Sequence, residues 1–311
     1  MKKCISLCAL LFLLHAPLFA QTVRVIQSQS LSLPLPGYYP QFSPDDDKVY
    51  FTSSNYQGLY EYDLSRGVVR TLSEDPGAGY HFQISADGSS IVFRSDNFDL
   101  PKRRSAIISM NLEKQSSQVI EALAREVSPP ALTHEGTLWY TVSSRLTGLT
   151  MASSSLRRMS SSQDPVLFIE DQKMALYAKH GKKILDPIPG GSYFWQSVSP
   201  DKQKILFTEA RSGTHIADLE GNILLSLGKA HAPQWSPDGQ WICYMDDHDN
   251  GLYFTASDIY IVSVDGKTRL PLTAAENRIE MYPGFSRKSA EKIVYHTDSG
   301  SIHILEFRIE R

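Results

Sequence analysis

The stretch Ala232-Pro233-Gln234-Trp235-Ser236-Pro237-Asp238-Gly239-Gln240-Trp241-Ile242-Cys243-Tyr244 limits what this chain can fold into more than any other. Pro237 fixes its own φ, Asp238 can bond back to nearby backbone, and Gly239 takes the left-handed conformation that side chains resist. Gln234-Trp235 before the turn and Trp241 to Tyr244 after it make a hairpin of two strands. A lone hairpin buries too little apolar surface to stand in water. The chain repeats it.

Phe42-Ser43-Pro44-Asp45-Asp46-Asp47-Lys48-Val49-Tyr50-Phe51 is the same unit, as are Ile84 to Phe93 and Val198 to Phe207, with weaker copies from Leu132 to Tyr140 and from Phe285 to Tyr295. Counted at the Ser or Thr, the copies fall at 43, 85, 133, 199, 236 and 286, which gives intervals of 42, 48, 66, 37 and 50 residues. About 40 to 50 residues is the length of one four-stranded blade of a β-propeller. The pattern resembles the WD-like repeat of TolB-type propeller proteins, P-x-[WF]-S-P-D-G-x-x-[IV]-x-[FY]. The match is nearly complete from Trp235 to Tyr244; the Thr133 copy lacks Ser-Pro and Asp, and the last keeps Pro283, Phe285, Ser286 and Ile293-Val294-Tyr295. The resemblance implies an all-β propeller and says little about activity.

Six four-stranded blades are expected, with seven as the alternative. The 66-residue interval after Thr133 decides between them. It falls short of two typical repeats, so it reads as one blade with an inserted strand rather than two blades, the second lacking its hairpin. Thr22 to Gln29 alternates and precedes the first hairpin, whereas the last copy ends at Ser301 to Arg308 with nothing after it to supply a fourth strand. Pairing of the N-terminal strand with the last blade would close the ring and remove open edges. No sustained period of 3.6 residues occurs after residue 20, so almost no helix is expected. Residues 21–311 read as one propeller domain, without the N-terminal domain of TolB.

Residues 1–20 read as a secretory signal: Lys2-Lys3, an apolar run from Ile5 to Leu14, then Ala16 to Ala20. The run is too short to span a bilayer, and no transmembrane segment is expected after it. Removing Lys2 and Lys3 leaves 29 cationic against 34 acidic residues, about −5. That balance argues against nucleic acid as a partner. Cys243 remains alone inside a strand, where a thiol is packing rather than a nucleophile. The expected protein is an exported, periplasmic or secreted monomer.

The G-x-S-x-G elbow, the H-E-x-x-H helix, the P-loop and the C-x-x-C pair are all absent. Any site must therefore be gathered from several blades. The segments leading into each Ser or Thr line the channel, and they bring Tyr39, Tyr80, His81, Trp195, His231 and Tyr282 to one mouth. Aromatic faces there would stack on a sugar ring or a peptide side chain, with His and Tyr as polar contacts; the competing account is that strand entries are aromatic because they pack between blades. Propeller lyases acting on oligogalacturonate, a distant resemblance of fold type, hold a metal at the channel with His. His81 and His231 alone are too few for such a site, and no cofactor is expected. Asp246, Asp247 and Asp249 could offer oxygens to Ca²⁺, but Asp and Asn favour turns unaided, and a solvated turn is the reading taken. Arg103-Arg104 and Arg157-Arg158 read as solvated surface. The expected role is a non-catalytic binding or scaffold module for a protein or carbohydrate at the cell envelope, the alternative being a carbohydrate-active lyase or hydrolase working at the channel mouth.

Overall fold

The computed structural model describes residues 21–99, 101–133, 136–150, 158–159, 164–274 and 278–310. The segment read as an export signal lies outside them, as does Arg157.

The Ser-Pro-Asp-Gly turns explain their own sequence. Ser236 Oγ accepts the Trp241 amide at 2.9 Å and donates to Asp238, whose carboxylate accepts the Gln240 amide at 3.0 Å. Ser85 with Asp87 and Ser199 with Asp201 do the same. Each turn thus satisfies the backbone of a two-strand corner with two side chains.

Seven antiparallel sheets form the ring, and the expectation of six blades is overturned. Blade one holds strands Tyr38–Phe42, Lys48–Thr52, Gln57–Asp63 and Val68–Pro76. Blade two holds Gln83–Ile84, Ser90–Asn97, Arg104–Asn111 and Ser116–Ala124, and blade three holds Ala131–Leu132, Thr137–Val142, Arg145–Thr150 and Arg158–Met159. The long interval then contains a further blade, four, of only three strands: Val166–Glu170, Lys173–Ala178 and Gly181–Leu185. Its corner is made by two residues, Asp171 and Gln172, at φ 47° and 64°. Paired left-handed residues turn a hairpin as tightly as Ser-Pro-Asp-Gly does. A shorter turn and a missing outer strand compress this blade, so two blades fit in 66 residues.

Blade five is Tyr193–Val198, Lys204–Glu209, Gly213–Asp218 and Ile223–Gly228; blade six is His231–Trp235, Trp241–Asp249, Phe254–Ser263 and Arg269–Pro271. Blade seven joins Glu280–Phe285, Lys292–Thr297 and Ile302–Glu310 to Thr22–Ser30, which pairs antiparallel with the last strand from Thr22↔Glu310 to Ser30↔His303. A second clasp crosses the same seam, where Ser286 donates to Asp46 and Lys288 Nζ donates to the Asp45 carbonyl at 2.9 Å. Among the described residues the helical content is one 3₁₀ turn, Ser54–Tyr56.

The core lies between blades rather than within one. Cys243, Ile259 and Ile261 of blade six pack on Ile293 and Tyr295 of blade seven, and Trp139 of blade three meets Phe168 and Tyr177 of blade four. Cys243 is fully buried, and burial holds its thiol far above the usual range. Among the described residues no helix is long and apolar enough to cross a membrane.

Candidate functional site

Five blades share one local distortion. Four residues before the Ser of the hairpin, within the innermost strand or, in blade two, just before it, stands a non-glycine residue in the left-handed region: Tyr39 at φ 52°, His81 at 53°, Trp195 at 52°, Ala232 at 47° and Tyr282 at 51°. In blades one, five, six and seven the strand register shifts at this point, as in a β-bulge. A bulge bends the strand and re-aims its side chain. Each left-handed L-residue costs about 1–2 kcal/mol. Blade three has Pro129 at this position, whose ring forbids positive φ.

Because the bulges recur in register, their side chains converge. Tyr39 stacks on Tyr56 at 4.5 Å between ring centroids and meets Tyr282 edge-on at 4.5 Å. Tyr56 reaches Tyr80 at 5.0 Å, and Tyr80 reaches His81 at 4.5 Å. On the other side Tyr282 meets Trp195 at 6.2 Å, and Trp195 meets His231 at 5.4 Å. Trp195 of blade five reaches blade seven across blade six, where the equivalent side chain is only the methyl of Ala232. All six residues expected at the mouth thus belong to one unbroken arc of rings. Tyr39, Tyr56, Tyr80, Trp195, His231 and Tyr282 are half-buried and His81 is exposed, so the arc is a surface rather than an internal packing layer.

Tyr56, Arg94, His296 and Asp247 complete the arc. Tyr56 sits in the 3₁₀ turn after the second strand of blade one, brought against Tyr80 because Gly79 passes over Thr52; a Cβ on Gly79 would collide with the Thr52 side chain. His296 stacks flat on Tyr282 at 5.5 Å and is almost wholly buried. Arg94 lies over the Tyr80 ring at 5.2 Å, donates to the Val127 carbonyl at 3.3 Å and pairs with Asp96 at 3.0 Å. Arg94 and His296 lie nine and ten residues after the hairpin Ser of their blades. Aligning the repeats at that position would have found both; Tyr56 has no counterpart in the repeat.

Burial holds His296 down at about 4, against the Thr297 carbonyl that its Nδ1 meets at 2.9 Å. His81 has an exposed edge but is ringed by protein, and that enclosure with the Arg94 charge also holds it at about 4. Both are neutral at pH 7. His231 Nδ1 pairs with Asp247 Oδ1 at 2.6 Å, with Lys229 Nζ 3.5 Å from the other oxygen. Burial pushes the Asp247 carboxyl up, but the hydrogen bonds and charges of His231 and Lys229 together outweigh this and lower it. Glu209, at the rim of blade five, is also driven up by burial, yet bonds from Ser212 and Arg211 bring it down to about 2.

The carboxylates considered for Ca²⁺ are placed apart in the structure. Asp247 is buried against His231, Asp246 points to the opposite face of the same strand, and Asp249 accepts the Gly251 amide. Among the described residues no three His, Cys, Asp or Glu side chains cluster as metal ligands. A hollow of about 350 Å³ lies elsewhere, at the seam of blades seven and one, bordered by Gln27, Asp46, Asp47, Lys292 and Glu306.

No family model and no curated protein matches this chain by sequence. Solved structures do match by fold. The oligogalacturonate lyase of Vibrio parahaemolyticus is 13% identical, over 92% of this chain and 98% of that one, with a TM-score of 0.58. The β-propeller domain of Cps50 (Swd1) from Myceliophteria thermophila is 9% identical over 92% and 99%, with a TM-score of 0.59. TolB from Acinetobacter baumannii is 20% identical over 79% of this chain and 57% of its own length, with a TM-score of 0.50. At these identities the likeness is one of fold: a β-propeller with TolB among its neighbours.

Proposed function

We propose that this chain is a non-catalytic binding module of the cell envelope, and that a segment of a partner protein docks on the aromatic arc. The carrying observation is that the rings touch in sequence across five blades while five of them, Tyr39, Tyr56, His81, Trp195 and Tyr282, stand on left-handed backbone positions. Rigid aromatic faces bind apolar side chains with little ordering cost. The polar groups nearby are mostly spent on the protein itself: Asp96 on Arg94 and Ser105, Glu209 on its own turn. A sugar site needs more free donors and acceptors than that. Export to the periplasm and a monomeric state belong to this proposal, supported by the TolB-like fold; cell fractionation and sedimentation velocity test them.

One observation favours the enzymatic alternative. The buried Asp247 orients His231 at the edge of the arc, as a base is oriented in acid–base catalysis. A photo-crosslinking residue at Gln57, beside the arc, separates the two readings in cells. Binding predicts a discrete crosslinked protein that disappears with Trp195→Ala and Tyr282→Ala. An unchanged crosslink in both variants sinks the proposal, as does turnover of an oligosaccharide panel abolished by His231→Ala.

A further inference from the structure

Among the described residues, blade four is the sheet without a fourth strand. Its third strand, Gly181–Leu185, is exposed at Gly181, Lys182, Lys183 and Ile184, whereas the third strands Arg104–Asn111 and Gly213–Asp218 are buried through their middles. Every blade ends in an open edge, but here that edge lies one layer deeper. Pro187, Pro189 and Gly190-Gly191 follow at once and keep the chain from supplying another strand.

Described residues wall the place beside this edge. Ile223, in the outer strand of blade five, pairs opposite Ala217, whose side chain belongs to the core shared with blade four. Ile223 therefore faces the gap and stays 40% exposed. Ile184, opposite Ala175, is 49% exposed on the other face. The floor is cationic: Lys182 is paired with Glu170, while among the described residues Lys179 and Lys183 have no carboxylate partner.

We propose that an acidic, extended segment of a partner protein adds to Gly181–Leu185 as the missing fourth strand. Unpaired backbone groups on an exposed edge give affinity for any strand, and the lysines select among strands. A second copy of this edge would set Lys182 and Lys183 against themselves. Residues 151–163, which precede this blade in sequence, contain Arg157 and Arg158 and no Asp or Glu, so they lack the complementary charge. The proposal is independent of the aromatic arc.

The test uses the full chain and a fluorescein-labelled seven-residue peptide of alternating Glu and Val. Saturable anisotropy is expected, with amide hydrogen exchange slowed at 181–185. Lys183→Glu, a surface change whose folding is checked by urea unfolding, should weaken the probe about tenfold, and N-methylation of alternate peptide amides should abolish binding. Equal binding of the N-methylated peptide, protection confined to other outer strands, or no saturation overturns the proposal. Self-association that protects 181–185 in sedimentation and exchange assigns the edge to a second copy and overturns it as well.

Discussion

Ala232→Gly isolates the backbone strain that aims the aromatic arc. Ala232 is buried and stands at φ 47°. Ala175, in the regular hairpin of blade four, is equally buried at an ordinary strand position. Changing either to Gly removes one methyl, about 0.8 kcal/mol of burial, and loosens the unfolded chain by about 0.5–1 kcal/mol. Ala175→Gly should therefore cost roughly 1.5 kcal/mol. At Ala232 the same loss is offset by release from the left-handed region, about 1–2 kcal/mol. The variant should be near neutral. Urea unfolding read by tryptophan fluorescence gives both values as midpoint shifts at constant slope. Equal destabilisation by the two changes would refute the strain. If the difference appears, Tyr39, His81, Trp195 and Tyr282 carry the same cost with large side chains, and packing among the rings must be what holds them there.

Protonation supplies two further tests. His296 is held at about 4 when folded, so the unfolded chain takes up the proton first, and stability should fall as pH drops from about 6.5 towards 4, by at most about 3 kcal/mol. His296→Phe keeps the ring against Tyr282 and should reduce that slope in unfolding measured across this range, leaving the share that His81 contributes. Glu209 behaves in the opposite sense: its folded value of about 2 gives stability that is present above the ordinary carboxyl range and lost as pH falls through it. Glu209→Gln should therefore cost about 1–2 kcal/mol at pH 7 and progressively less towards pH 2; a difference that ignores pH would refute the assignment. Gly79→Ala forces a Cβ onto Thr52 and should cost about 1–3 kcal/mol, with a changed near-ultraviolet dichroism as Tyr56 parts from Tyr80.

What the sequence makes legible follows from where the turn chemistry is written. The hairpin Ser fixes the register of its blade, so the residue four places earlier can be found by counting, and Tyr39, His81, Trp195 and Tyr282 were visible in that way. The left-handed conformation itself left no mark, because it is normally announced by Gly, Asn or Asp, whereas here packing imposes it on Tyr, His and Trp. The N-terminal strand could be placed in the last blade because an incomplete blade and an unassigned strand stood at opposite ends of the chain. Blade four stayed hidden because Asp171-Gln172 makes the same corner without Pro or Gly. One sign of it was nevertheless present. The third strands of other blades read Ala106-Ile107-Ile108 or Ile259-Tyr260-Ile261, as layers covered on both faces should, while Gly181-Lys182-Lys183-Ile184-Leu185 has the composition of an outer edge. A strand written as an edge, followed by Pro187 and Pro189, states that its blade stops there. The interval after Thr133 then divides into a full blade and a short one, and the lysines that mark the break are the same residues that would choose a partner strand.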